Sequence, residues 1–204
     1  MDAVRPPRKR DGAATREAIL AAAVVEFTEH GYARAGVRQI AERAGVTAMM
    51  INRYFGSKDR LFAEAVDRAF APPTVVGAER RELPETIAHT LAERTGPAAD
   101  RLDPFLLLLR SAQDPEAVDA LRRGIETHVG TRLAGLLEGA DAEVRAQLGL
   151  ALVAGTWLLR TVVGATALAE AADDDVAELL TAMLRPLTDT AGAEPGSGPR
   201  DTAG

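Results

Sequence analysis

Four residues in the stretch VTAMMINRYFGSKDRLF (residues 46–62) could do recognition chemistry if it is helical. At about 100° per residue, Ala48, Met49, Asn52 and Arg53 share one face of such a helix. Arg53 can donate to guanine O6 and N7 or to a phosphate, Asn52 can pair with adenine, and methionine can cover a thymine methyl. Ile51 lies away from that face and anchors the helix to a core, while Phe55 closes its end. Met49 and Met50 are each open to two readings, groove contact or core filler, the second more readily for Met50. Two cations sit against a local rule, Arg38 at the second position of one helix and Lys58 at the first position of another. Each opposes the helix dipole at a cost of about 0.3–1 kcal/mol. A phosphate at each helix start reverses that sign; solvated surface charge is the plainer alternative.

Other chemistries find little support. The chain has no cysteine, which excludes disulfides and thiolate metal sites. Its three histidines, His30, His89 and His128, lack metal-ligand spacing, and its serines lack a nucleophile motif. No enzyme, cofactor or metal is therefore expected. The net charge is −6, but residues 1–70 hold 12 basic against nine acidic residues, and the remainder 12 against 21. A mildly basic head on an acidic body fits a nucleic-acid contact confined to one end. A non-specific architectural DNA binder, the nearest rival, would want a more basic surface. Basic residues near the start (Arg5, Arg8, Lys9, Arg10) precede no apolar run, so no signal peptide is read and a cytoplasmic location is expected.

The elements that must position these residues are helical. Residues 1–12 read as a disordered basic arm. Ile19, Ala22, Ala23 and Phe27 make one helical face over 15–30, which Gly31 caps. Val37, Ile40, Ala41 and Ala44 make a second helix. Thr47 caps a third that ends near Gly56, and Ser57 caps a fourth that runs to Pro72-Pro73. The tight link from Ala44 to Thr47 makes the second and third a helix-turn-helix. Further helices are expected at 79–95, 103–113, 115–138, 141–169 and 173–188, with a tail at 190–204 that cannot fold alone. The fold class is all-α: a helix-turn-helix domain over 13–71 and a helical bundle for ligand binding and dimerisation over 72–189. Arg160 is the only charge between Arg145 and Glu170, a run long enough to span a bilayer. Its Ala, Gly and Thr content and the mid-span arginine favour instead a helix buried on nearly all sides of a soluble protein.

Residues 15–66, TREAILAAAVVEFTEHGYARAGVRQIAERAGVTAMMINRYFGSKDRLFAEAV, resemble the DNA-binding domain of TetR-family transcriptional regulators. The Phe-x-x-x-Gly-Tyr end of the first helix and the Tyr-Phe-Gly-Ser-Lys-Asp exit carry the likeness. LDPFLLLLRSAQDPEAVDALR further on resembles the start of the ligand domain in some actinobacterial members. The resemblance implies a homodimer that binds a palindromic operator in double-stranded DNA and usually represses. It puts Arg38, Thr47, Tyr54 and Lys58 at phosphate-contacting positions, and Ala48, Met49 and Arg53 at positions facing bases. Gly36 stands where the family often has a capping Ser or Thr. Asn52 replaces a frequent tyrosine, which shortens the reach there.

For the body, the small residues Gly149, Ala151, Ala154 and Gly155, with Leu152, Leu159 and Val162, read as a dimer interface or as the central core of one subunit. A small-molecule inducer, largely apolar, is expected by family analogy alone. Phe105 and Trp157 are the only aromatic residues outside residues 1–70, so its pocket should be mostly aliphatic. Arg110, His89, His128 and Arg160 are the candidate polar contacts, although a surface or locally paired role is the plainer reading of each.

Overall fold

A computed structural model describes residues 9–71, 82–96 and 104–189, with the side chains of residues 9–11 left aside. Every regular element among these is helical: α1 (Lys9–Arg34), α2 (Val37–Arg43), α3 (Ala48–Phe55), α4 (Lys58–Phe70), α5 (Leu83–Thr95), α6 (Pro104–Ser111), α7 (Pro115–Ile125), α8 (Thr131–Ala134), α9 (Ala142–Trp157), α10 (Thr166–Glu170) and α11 (Asp173–Thr188). Two π-helical turns, Glu126–Gly130 and Leu158–Val163, join α7 to α8 and extend α9. The described residues pack as two compact units, 9–71 with 104–129, and 82–96 with 130–189. α6 and α7, which follow residue 71 in the chain, pack against α1 and α4.

The head forms around the stripe that the sequence places on α1. Ile19, Ala23 and Phe27 are wholly buried, as are Leu61, Phe62 and Val66 of α4. Burial stabilises each of the larger side chains by roughly 1.5–3 kcal/mol. Phe27 meets Phe62 edge to face at 4.9 Å, and Tyr32 meets Phe62 at the same separation. Gly31 breaks α1 as its composition predicts, with φ 73° inside the helical span. A Cβ there would overlap the carbonyl oxygen of Arg110, so glycine is required both by φ and by the approach of α6. A Cβ on Gly124 would similarly collide with the Val66 side chain, which shows how hard α7 presses against α4.

Several boundaries differ from expectation. Residues 9–12, assigned to a disordered arm, are the first turn of α1; residues 1–8 and 190–204 lie outside the described part. The expected helix at 115–138 gives way to a π turn and ends at Ala134. The expected helix at 141–169 ends at Val163, where Gly164 takes the left-handed conformation at φ 67° and a short α10 starts afresh.

In the second unit α5 and α11 form the main pair, with Leu83, Ile87 and Leu91 buried against Val176, Leu180 and Leu184. α9 adds Ala146, Val153 and Trp157. It is not buried on nearly all sides. Ala142–Val163 is apolar and long enough to cross a membrane by length and composition alone, yet only Ala146, Gly149, Val153, Trp157 and Arg160 within it are buried. Arg160 explains how a charge is tolerated there. Its Nε donates to Leu168 O (3.0 Å), Nη1 to Thr95 Oγ1 (3.1 Å) and Ala92 O (3.3 Å), and Nη2 to Ala171 O (2.9 Å) and Asp173 Oδ1 (2.7 Å). The guanidinium fastens the chain across the break at Gly164, and its burial is compensated by partners on three segments.

Candidate nucleic-acid interface

α2 ends at Arg43 with Ala44 as its C-cap, and Gly45 turns the chain at φ 68°, its amide donating to Glu42 O (3.1 Å) while that of Val46 donates to Ala41 O (2.9 Å). Thr47 then begins α3 in extended conformation, its hydroxyl making no capping bond. Ile51 and Phe55 are buried and fix α3 to the head. The opposite face is open: Met49 is 80% exposed, and Asn52 and Arg53 are exposed beside it. Ala48, Met50 and Tyr54 are half-buried. A Met exposed to that degree has no core role, whereas Met50 sits between the two roles open to it.

The flanking cations stand at the helix starts expected of them. Arg38 is exposed at the second position of α2, behind Gly36, which supplies no side-chain cap. Lys58 opens α4 behind Ser57, whose Oγ accepts from the Arg60 amide (3.2 Å). Lys58 differs in one respect from a cation held only by a prospective phosphate. Its Nζ lies 4.4 Å from the centroid of the Tyr32 ring, an attraction of about 0.5–1 kcal/mol at exposed sites. The Tyr32 hydroxyl in turn donates to Asp59 in the first turn of α4 and lies 3.2 Å from Glu116 Oε2. Burial, then these two carboxylates, push the phenol well above its ordinary range, so it stays a donor.

Sequence reasoning missed three supports of this surface. Arg16 of α1 lies 4.8 Å over the Phe55 ring and pairs with Glu64 of α4, bracing the end of α3. The first turns of α1 reach Tyr54, for a Cβ on Gly12 would be 3.4 Å from its hydroxyl. Arg43, in the last turn of α2, donates Nε to Glu26 (2.8 Å) and Nη2 to Glu29 (2.7 Å), strapping α2 to α1; the Glu26 hydrogen bond raises its pKa. None of these contacts has a local sequence signature, because each joins two different helices rather than neighbouring turns of one.

The candidate ligand residues are not brought together within one unit. Phe105, Arg110 and His128 belong to the first, Trp157 and Arg160 to the second. Arg110 is committed to the carbonyls of Thr28 and Glu29 at the end of α1. His128 Nε2 lies 3.1 Å from Asp67 Oδ1, and Arg160 is taken up by the contacts above. Phe105 and Trp157 are buried. One cleft of about 740 Å³ in the first unit is lined by Glu29, His30, Arg34, Arg110 and Asp114 among others. A second, of about 430 Å³ in the other unit, is lined by His89, Asp174, Glu178, Thr181, Ala182 and Arg185. Charged and polar side chains predominate around the first.

The interface candidates separate as well. Gly149 is buried, and a Cβ there would lie 3.8 Å from Leu133 and 3.9 Å from Leu184, so it serves packing inside its own unit. Leu152 and Gly155 are half-buried, while Leu159 and Val162 are exposed. Val144, Leu148, Leu159 and Val162 recur along α9 and its π extension, and Leu179 and Met183 add one turn of exposed apolar surface on α11.

Comparison with known proteins agrees with this reading. Residues 19–65 match the model of bacterial regulatory proteins of the tetR family. Residues 81–187 match that of a tetracyclin repressor-like C-terminal domain. An HTH-type transcriptional repressor of Streptomyces coelicolor is 41% identical over 59 residues, 29% of this chain and 31% of that protein. Another from Mycobacterium tuberculosis is 33% identical over 122 residues, 57% of this chain and 64% of its own. The chain thus spans less than two thirds of the length of either curated relative. The crystal structure of a TetR-like transcriptional regulator from Rhodococcus sp. RHA1 superposes with a TM-score of 0.57 at 26% identity, covering 90% of this chain and 98% of that one.

Proposed function

The chain belongs to the TetR family of bacterial transcriptional regulators, and from that premise we propose that it is a ligand-responsive repressor that binds a palindromic operator as a homodimer. The observation that carries the DNA-binding part is α3, held by buried Ile51 and Phe55 while Met49, Asn52 and Arg53 stand exposed on its other side. A short helix so mounted can enter a major groove with its first turns against base edges. Arg53 then reads guanine, and Asn52 reads adenine where a longer residue would reach for the backbone. Arg38, Thr47, Tyr54 and Lys58 hold phosphates and set register, the free Thr47 hydroxyl being well suited to that role. The acidic balance of the whole chain weighs against a non-specific binder.

The homodimer rests on the apolar face of α9 and on Leu179 and Met183 of α11. A second copy covers that face and sets two reading heads about one turn of DNA apart. The small-molecule effector rests on the family alone. It acts by favouring a head spacing that the operator does not accept. A cytoplasmic location follows from the role. Selection of bound fragments from genomic DNA at physiological salt tests the proposal: one or a few palindromes should be enriched, and enrichment of none contradicts it.

A further inference from the structure

Glu26, Glu29 and His30 occupy positions i, i+3 and i+4 of α1 and so share one face of it. One donor atom from each lies within 4.8 Å of the others. His30 Nε2 is 3.6 Å from Glu26 Oε2 and 3.9 Å from Glu29 Oε2. Donors bonded to one ion at about 2.0–2.2 Å stand roughly 3.3–3.6 Å apart in a tetrahedral site, so small side-chain rotations close the set. Glu26 supplies the independent sign of a ligand. It is buried, with 5% of its surface exposed. Its Oε1 accepts from Arg43, but its Oε2 has no hydrogen-bond partner and faces the His30 ring. A carboxylate oxygen so buried is costly to leave unpaired.

From this geometry we infer that Glu26, Glu29 and His30 form a binding site for a divalent first-row transition-metal ion, which competes with Arg43 for the two carboxylates. One imidazole nitrogen with two carboxylate oxygens suits zinc, cobalt or nickel, whereas calcium and magnesium take oxygen alone. His30 is half exposed, and with Glu29 it lines the 740 Å³ cleft, which gives an ion a way in and room for water ligands. Glu26 and Glu29 place two carboxylates beside the His30 imidazole, and the Arg43 guanidinium is the cation that pairs with both. An ion there repels the Arg43 guanidinium and draws on the oxygens that it uses, so occupancy loosens the strap between α2 and α1. The histidine spacing alone conceals such a site, because two of its three ligands are carboxylates on an ordinary-looking helical turn.

The test is titration of the tag-free full chain with cobalt(II), followed by visible absorption, and with zinc by calorimetry. One ion per chain is expected. Glu26→Gln, which keeps an acceptor for Arg43, and His30→Gln, at an exposed position, should each weaken binding about tenfold or more, as loss of even an indirect partner can. His128→Gln, outside the cluster, should bind as the unaltered chain does. Arg43→Gln should bind more tightly, because the competing cation is gone. Absence of cobalt absorption and zinc heat in the unaltered chain overturns the inference, as does unchanged binding by both cluster variants. Equal or weaker binding by Arg43→Gln refutes the competition.

Discussion

At the scale of residues, Tyr32 shows how one side chain orders the surface beside α3. Its amide donates to the buried Ser111 Oγ (3.0 Å), its ring packs on Phe62 and carries Lys58, and its hydroxyl serves Asp59. The folded chain holds the phenol proton more tightly than the unfolded chain, whose tyrosine titrates near 10.0. The stability that this residue contributes is therefore complete below that pH and is lost as pH rises above it. Denaturant melts between pH 9 and pH 11 should show the decline, and Tyr32→Phe should flatten it. Arg53 and Lys58 differ in kind. Arg53→Ala should cost about 1–3 kcal/mol of operator binding and relax preference at one base position. Lys58→Ala should weaken binding to any duplex alike and reduce the slope of log K against log salt by about 1. Mobility shifts across a salt series separate the two.

At the scale of elements, the helices of the head were legible because each carries its own period and its own stop. The stripe of α1, the glycines at 31 and 45, and Ser57 before Lys58 are local signals with local causes. The long apolar run of the body was not legible in the same way. Its composition reads as one continuous buried helix, but Gly164 turns it and Arg160 fastens the turn through residues 8–13 positions ahead and on α5. No window of sequence holds that set of partners together. The same limit hid Arg16 and Arg43, whose carboxylates lie on other helices. Two substitutions test the element account. Gly31→Ala places a Cβ at positive φ against the Arg110 carbonyl, and should destabilise the chain by about 1–3 kcal/mol in thermal or denaturant melts. Ile51→Ala removes the buried anchor of α3, should cost about 2–5 kcal/mol, and should weaken DNA binding without touching a base-facing residue.

At the scale of the whole molecule, an exposed apolar face on α9 calls for cover, since contiguous patches of this kind mark interaction surfaces. On the proposed dimer and palindromic operator, replacing Leu148 or Leu159 with Glu should leave each chain folded, shift sedimentation from dimer to monomer and lower operator affinity, because one head would grip only half the site. Gly149 of α9 turns inward, while Leu159 and Val162 of the π-helical turn that follows it are exposed. The ligand candidates show the opposite limit. Residue chemistry alone singles them out, and the fold commits Arg110, His128 and Arg160 to partners of its own. The measurement that bears most directly on the central claim is selection from genomic DNA at physiological salt, run in parallel with the unaltered chain and Arg53→Ala. The unaltered chain should enrich one or a few palindromic sites, and the variant should show degraded enrichment. Binding without sequence preference, or identical enrichment by both, would contradict that claim.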